Sequence, residues 1–381
     1  MKVYFDNAAT TALDPEVLEA MMPYMREYYG NPSSIHSFGR FTRAAIERSR
    51  KKVAELLNAS TGEIFFTSGG TESNNMILKC AVKELGVKRI ISSAIEHHCV
   101  LHTLEDLEEL GVLIDYVALD EYGRIDYENL ESLLREEKGK TLVSLMYANN
   151  EIGNILDVER VAALCKEYSA LFHSDTVQAI AHFPIDVQKT GIDFLTGSAH
   201  KFHGPKGVGF SFLRSGHLMK PFIHGGAQER NMLAGTENLP GIVGLAKAME
   251  LAVEGMEAHA ARIRNVRDAM KNALMRDIPG VTFNGVQEGD YLFTVLNVSF
   301  PPSPKSSMLL FNLDIEGIAA SGGSACSSGS DIGSHVMRAL NAPEERSNVR
   351  FSFSKYNTRE EVDYVVEKLL KILEVKEQNP A

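Results

Sequence analysis

This 381-residue chain has no Cys-x-x-Cys pair; its four thiols, Cys80, Cys99, Cys165 and Cys326, stand far apart. That spacing argues against a zinc site or a disulfide framework and leads us to expect reduced thiols in a cytoplasmic protein. A basic excess is missing too: 39 Lys and Arg face 50 Asp and Glu, a formal net charge of −11. Nucleic acid and anionic membranes select for basic surfaces, so neither is an expected partner. No apolar run approaches a membrane span; Leu142-Val143-Ser144-Leu145-Met146-Tyr147 is strand-sized. The chain reaches Asp6 almost at once, so no signal-peptide pattern is read. Internal repeats are absent as well.

What is there suits a globular protein. Hydrophobic residues make up 44% and charged residues 23%, and the length allows two domains around a large core. From about residue 60 to 215, short apolar runs alternate with helical patterns. The strands expected are Ile64–Thr67, Arg89–Ser93, Leu113–Val117, Thr141–Met146, Leu171–Ser174, Phe194–Gly197 and Val208–Phe212. Helices are expected between them at Thr71–Glu84, Val100–Leu110, Tyr127–Glu136 and Val158–Tyr168, and earlier at Pro15–Tyr29, capped by Asp14. This alternation predicts a mostly parallel α/β sheet. A long helical pattern at Gly241–Arg276 then leads to a strand (Leu292–Val298), a short helix (Lys305–Leu313), a Gly/Ser loop (Ser321–Ser330), a strand (Asn348–Ser354) and a last helix (Thr358–Glu374). Those elements predict a second, smaller α+β domain. The expected division is a large domain at 15–255 and a small one made of 1–14 and 256–381.

Chemistry enters at Ser198-Ala199-His200-Lys201-Phe202-His203-Gly204-Pro205-Lys206-Gly207. A lysine that follows a strand and precedes a Gly/Pro turn projects a long amine from a rigid backbone. Such an amine can form a Schiff base, most commonly with pyridoxal phosphate; alone, it also reads as a surface lysine. Ser68-Gly69-Gly70-Thr71 opens a helix after a strand and suits a phosphate, or merely a turn. It has neither the P-loop lysine nor Gly-x-Gly-x-x-Gly spacing.

Asp175 ends a strand, with Gln178 just beyond, and a carboxylate there can keep a pyridine nitrogen protonated, or simply cap a helix. His97 follows another strand and can stack on a planar ring or move protons. His98 and His102 are four apart but lack a third ligand, so a solvent-facing pair is expected rather than a metal site. Asn150 lies at the same sheet edge, suited to a cofactor oxygen or a substrate carboxylate, or to a turn. Arg350 alternates with Val349 and Phe351, a placement that suits bidentate carboxylate capture or an exposed strand face. Cys80 and Cys165 fall in amphipathic helices as core thiols, and Cys99 adjoins a helix start. Small polar neighbours set Cys326 apart as an accessible nucleophile, or else mark a flexible loop that happens to contain a cysteine.

Together these segments resemble the cysteine desulfurases, pyridoxal-phosphate enzymes of the aspartate-aminotransferase fold. The likeness runs from Tyr4-Phe5-Asp6-Asn7-Ala8-Ala9-Thr10-Thr11 through Asn31-Pro32-Ser33-Ser34-Ile35-His36 to the last helix. Its specific motifs are Thr67–Asn75, His200-Lys201, Gly204-Pro205-Lys206-Gly207, Ala234-Gly235-Thr236 and Gly323–Cys326. The resemblance implies that Lys201 holds the cofactor, His97 stacks on it and Asp175 pairs with its ring nitrogen. It further implies that Gln178 and Asn150 bond the ring hydroxyl, and that Gly70, Thr71, Ser198, Ala199 and His200 surround the phosphate. Thr236 would reach the phosphate of a partner subunit in a homodimer, and Arg350 would bind the cysteine carboxylate. Cys326 would take the sulfur as a persulfide, with alanine as the other product, and pass it on for iron–sulfur cluster assembly.

Three positions depart from the long-loop members of that family. Leu233 stands where arginine is usual, Ser354-Lys355 where Gly-Arg is usual, and Gly333 where proline is usual. They bear on the choice of acceptor rather than on the chemistry. Rival readings are a selenocysteine lyase or aminotransferase of the same fold, or a silent scaffold subunit.

Overall fold

The computed structural model describes residues 1–217, 220–303, 305, 308–322 and 333–375. At the N-terminus, β1 (Val3–Tyr4) precedes α1 (Pro15–Arg26) and α2 (Ser37–Leu57). The central run is β2 (Ile64–Thr67), α3 (Gly70–Leu85), β3 (Arg89–Ser92), α4 (His98–Glu109), β4 (Leu113–Tyr116), α5 (Tyr127–Arg135), β5 (Thr141–Ser144), α6 (Val158–Glu167), β6 (Leu171–Asp175), α7 (Val187–Thr190), β7 (Phe194–Ser198) and β8 (Gly209–Leu213). Then come α8 (Leu239–Glu254), α9 (Met256–Asp277), β9 (Thr282–Asn284), β10 (Val295–Phe300), α10 (Leu309–Ile315), β11 (Ile318–Ala319), α11 (His335–Ala339), β12 (Ser347–Ser352) and α12 (Arg359–Ile372).

Seven strands form one sheet in the order β2-β8-β7-β6-β5-β3-β4. Only β8 runs against its neighbours, because the short link after β7 folds it straight back. Helices cover both faces, so β2, β3, β5, β7 and β8 are buried along their whole length and read as apolar runs. The exception in that pattern is β4, an edge strand that stays half exposed. All the parallel strands point their carboxyl ends to one edge, where α/β folds bind ligands.

A second sheet, β12-β10-β9, is antiparallel, and β1 pairs with β11 beside it. Its core is separate from that of the large sheet. Val3 and Phe5 from the N-terminus join Ile263, Met270, Phe351 and Leu369 there. The N-terminal segment then crosses to the large sheet, where Thr11 N–H donates to the His200 carbonyl at 2.9 Å.

Several boundaries differ from those the sequence suggests. The pattern at 241–276 divides into α8 and α9 at Gly255, where the His259 ring fills the space a Cβ would need. The helix expected from Lys305 starts at Leu309, and the strand expected from Leu292 starts at Val295. The expected Pro15–Tyr29 helix ends at Arg26. Sequence reading also passed over α2, whose buried face is built from Gly39, Thr42, Ala45, Ser49 and Arg50 as much as from Ile46, Val53 and Leu57.

Candidate active site

A cavity of about 220 Å³ opens at the carboxyl edge of the large sheet. Gly70 and Thr71 come to it from the start of α3, and His97 from the turn after β3. Asn150 follows β5, Asp175 and Gln178 end and follow β6, and Ser198, His200 and Lys201 end and follow β7. Across the gap, Arg350 on β12 closes the wall together with Ala8 and Ala9 of the N-terminal crossing segment. Residues remote in sequence meet because each parallel strand delivers its next loop to the same edge.

The N-terminal segment holds the lysine. Lys201 Nζ donates to the carbonyls of Ala8 (2.6 Å) and Ala9 (2.9 Å), and Gln178 Nε2 shares the Ala8 oxygen at 2.9 Å. His200 Nδ1 lies 3.1 Å from the Thr10 hydroxyl, and burial, with Lys201 and Lys206 nearby, lowers this imidazole to about 4. It is therefore a neutral group at ordinary pH.

His97 caps α4, with its Nδ1 accepting from Cys99 N–H at 3.2 Å. An accepting Nδ1 leaves the hydrogen of the neutral ring on Nε2. Burial is the main reason this imidazole titrates below its usual range; Asp175 opposes that shift and Lys201 adds to it. Cys99 Sγ also sits 3.0 Å from His97 Nδ1, and burial first, then Asp175, pushes its thiol up to about 12. Cys99 thus lines the cavity as a protonated thiol donating to His97, a part sequence reading did not assign.

Asp175 accepts from Val177 N–H at 2.9 Å and from Asn74 Nδ2 at 2.7 Å. Opposite, the Arg350 guanidinium is buried, with Nη1 on the Asn150 carbonyl (3.0 Å) and Nη2 on Asp6 Oδ1 (2.9 Å). Its Nε is buried without a partner among the described residues. Asn149 shapes the preceding turn, its side-chain oxygen accepting from the N–H groups of Glu151 (2.8 Å) and Ile152 (3.0 Å). That turn leaves the Asn150 side chain on the cavity wall.

These residues fit pyridoxal phosphate. At one end, α3 is capped by Gly69, which has no side chain to cap with, so its first N–H groups remain available to a phosphate. A Cβ on Gly70 would meet Val177 Cγ2 at 2.7 Å, which keeps that approach to backbone atoms. The Asp175 carboxylate stands on another wall for a ring nitrogen, and the Lys201 amine on a third. The unpaired Arg350 Nε adds a donor for a substrate anion.

Other candidate residues fall elsewhere. Ala199 is in the hydrophobic core behind the cavity rather than on its wall. Thr236 lines a different cleft of about 190 Å³, with Ser68, Glu72 and Leu233. Cys326 and its neighbours 323–332 lie outside the described residues. His98 is half-buried and His102 is exposed to solvent; their rings lie 5.2 Å apart, and His335 packs on His98 at 4.4 Å. Among the described residues no His, Cys, Asp and Glu cluster is arranged to hold a metal ion. Cys80 and Cys165 are core thiols, as their helices suggest.

The departures at 233 and 355 turn inward. Leu233 is buried beside Met232, Phe65 and Leu213. Lys355 Nζ donates to Asp14 Oδ2 at 2.6 Å, where Tyr356 Oη also bonds at 2.8 Å, tying the β12–α12 turn to the start of α1. Gly333 has a φ of +67° with open space around it.

The aminotransferase class-V family profile matches residues 3–365. The chain is similar to a cysteine desulfurase IscS of Dictyoglomus turgidum, 46% identical over 377 residues, 98% of this chain and 95% of that protein. A cysteine desulfurase IscS of Methanosarcina thermophila is 45% identical over 377 residues, 98% of this chain and 92% of that one. Among solved structures, a NifS-like protein superposes with a TM-score of 0.90 at 41% identity, covering 98% of this chain and 100% of its own.

Proposed function

This chain belongs to the aminotransferase class-V family and, within it, to the cysteine desulfurases; from that premise we propose how its residues turn L-cysteine into L-alanine and a persulfide on Cys326. One observation carries the reading: a single cavity gathers Lys201, His97, Asp175, Gln178, Asn150 and Arg350 beside an uncapped helix start. Pyridoxal phosphate bound there supplies an electron sink for the substrate α-carbon. Gly70, Thr71, Ser198 and His200 would hold its phosphate, with Thr236 added from a second copy of the chain. Asp175 would meet the ring nitrogen, Gln178 and Asn150 the ring hydroxyl, and His97 the ring face; Lys201 would hold the group covalently.

Arg350 binds the α-carboxylate, adding its unpaired Nε to a guanidinium already fixed by Asp6 and Asn150. Lys201 Nζ takes the proton from the substrate α-carbon, a transfer that needs the amine neutral at that moment. His97 stays neutral through burial and presents Nε2–H as a hydrogen-bond donor. Cys326 thiolate then attacks the substrate sulfur. An S–S bond forms, the C–S bond breaks, and its electron pair stays on the carbon fragment, which is protonated on its way to alanine.

The persulfide sulfur passes to an acceptor for iron–sulfur assembly, a role suggested by the relatives' name. Two copies form a dimer, and the reduced thiols fit a cytoplasmic setting; no helix among the described residues is long and apolar enough to cross a membrane. The separate core around Val3, Phe5 and Phe351 supports a small domain of 1–14 and 256–381 against a large one of 15–255. Incubation with L-cysteine, measuring alanine and sulfide with and without a reductant, tests the activity. Alanine in step with sulfide when reductant is present supports it, and no alanine refutes it.

A further inference from the structure

His173 is a fully buried titratable group that does not line the cavity and has no part in the steps above. It stands two residues before Asp175 on β6, so both side chains project from the same face of the sheet. Over that face lies α3, which brings Asn74 between them, itself fully buried. The register of β5 on β6 sets Ser144 opposite His173.

Donors and acceptors along this line have little choice. A carboxylate only accepts, so the Asn74 Nδ2 amide faces Asp175 Oδ2, at 2.7 Å. The Asn74 oxygen then faces His173 Nε2 at 3.1 Å, and an amide oxygen also only accepts. His173 therefore carries its hydrogen on Nε2. Burial lowers this imidazole to about 4, so it is neutral and its bare Nδ1 accepts from the Ser144 hydroxyl at 2.9 Å. Ser144 to His173, His173 to Asn74 and Asn74 to Asp175 all donate toward the carboxylate. Asn74 Nδ2 also reaches Cys99 Sγ at 3.2 Å, and Cys99 in turn reaches His97, so one amide braces two walls of the cavity.

We propose that Asn74 is a positioning residue that fixes the Asp175 carboxylate toward the bound ring nitrogen, and that His173 and Ser144 lock Asn74 in the orientation this requires. The proposal rests on the reading of Asp175 as the partner of that nitrogen. A chain of donors ending on a buried carboxylate fixes its orientation.

The test compares holoenzyme variants Asn74→Ala, His173→Phe and His173→Gln with the parent and with Asp175→Ala. The readouts are the dissociation constant of pyridoxal phosphate and the pH profile of its bound visible absorbance. Asn74→Ala and His173→Phe are expected to weaken cofactor binding about tenfold and to displace the absorbance midpoint. His173→Gln keeps a donor toward Asn74 and should stay near the parent. Parental affinity and profile in Asn74→Ala, with Asp175→Ala impaired, overturn this proposal alone. If Asp175→Ala is also parental, the reading beneath it falls as well. Should the variants not fold, nitrogen-15 spectra of histidine-labelled parent holoenzyme decide: a hydrogen on His173 Nε2 supports the proposal, and one on Nδ1 overturns it.

Discussion

Arg350 Nη2 donates to Asp6 Oδ1 at 2.9 Å, and the same carboxylate oxygen accepts from the Ser321 hydroxyl at 2.8 Å. This pair joins the N-terminal segment to β12 across the wall of the cavity. It also explains how a guanidinium only 1% exposed is tolerated there: two of its nitrogens are satisfied by the chain. The third, Nε, is left for a ligand.

Arg350→Ala should leave the cofactor absorbance intact and weaken cysteine binding. Losing a hydrogen bond to a charged group costs about 1.5–3 kcal/mol, so apparent affinity should fall at least about tenfold. Asp6→Asn keeps Arg350 but loosens it, so KM should rise by less than in Arg350→Ala, with a smaller effect on kcat. Unchanged substrate dependence in both variants would mean that the carboxylate binds elsewhere.

Lys201→Ala should lose the borohydride-reducible link to pyridoxal phosphate. The basis is an amine on the cavity wall, held by the Ala8 and Ala9 carbonyls. Peptide mapping after reduction finds the label on Lys201 in the parent. A reducible link surviving in the variant would move the site to another lysine, Lys206 being nearest in sequence.

Much of this site is visible in the sequence because parallel strands make it so. Buried on both faces, β3, β5 and β7 appear as short apolar runs, and the residues just past them are the ones that meet. Lys201, His97, Asp175 and Asn150 could be found that way. Asn74, His173 and Cys99 could not, since their partners come from other elements and a polar residue inside a helix or strand carries no local signal. Asp6 falls within the Tyr4–Thr11 motif, yet its partner lies 344 residues away. The missed α2 has a different cause: small and polar side chains on its buried face mute the helical period.

Glu96 is fully buried beside His97, and burial raises its carboxyl to about 8 despite hydrogen bonds from Met146 N–H and Ser93. In the unfolded chain it ionises near 4.5. Between those two values the folded state binds more protons, so this group's contribution to stability falls as pH rises from about 4.5 to about 8. Glu96→Gln cannot ionise. The difference in Tm, variant minus parent, should therefore become more positive from pH 5 to pH 9. A difference that is flat with pH would show that Glu96 ionises normally in the fold.

Thr236 lies outside the cavity of its own chain, in the cleft that also contains Ser68 and Glu72. If it serves a second copy's phosphate, mixed dimers of Lys201→Ala and Thr236→Ala subunits carry both lesions in one site and none in the other. One site per heterodimer should then regain parental cofactor affinity. Two impaired sites, or a fully active monomer at high dilution, would contradict the shared arrangement.

The most direct test of sulfur transfer is the mass of the Cys326 peptide after brief exposure of the holoenzyme to L-cysteine without reductant. The account predicts one added sulfur atom on Cys326 with matching release of alanine, and a Cys326→Ala variant that binds cofactor and cysteine yet frees almost no alanine. Normal alanine release from that variant, or added sulfur on Cys99 in place of Cys326, would contradict it.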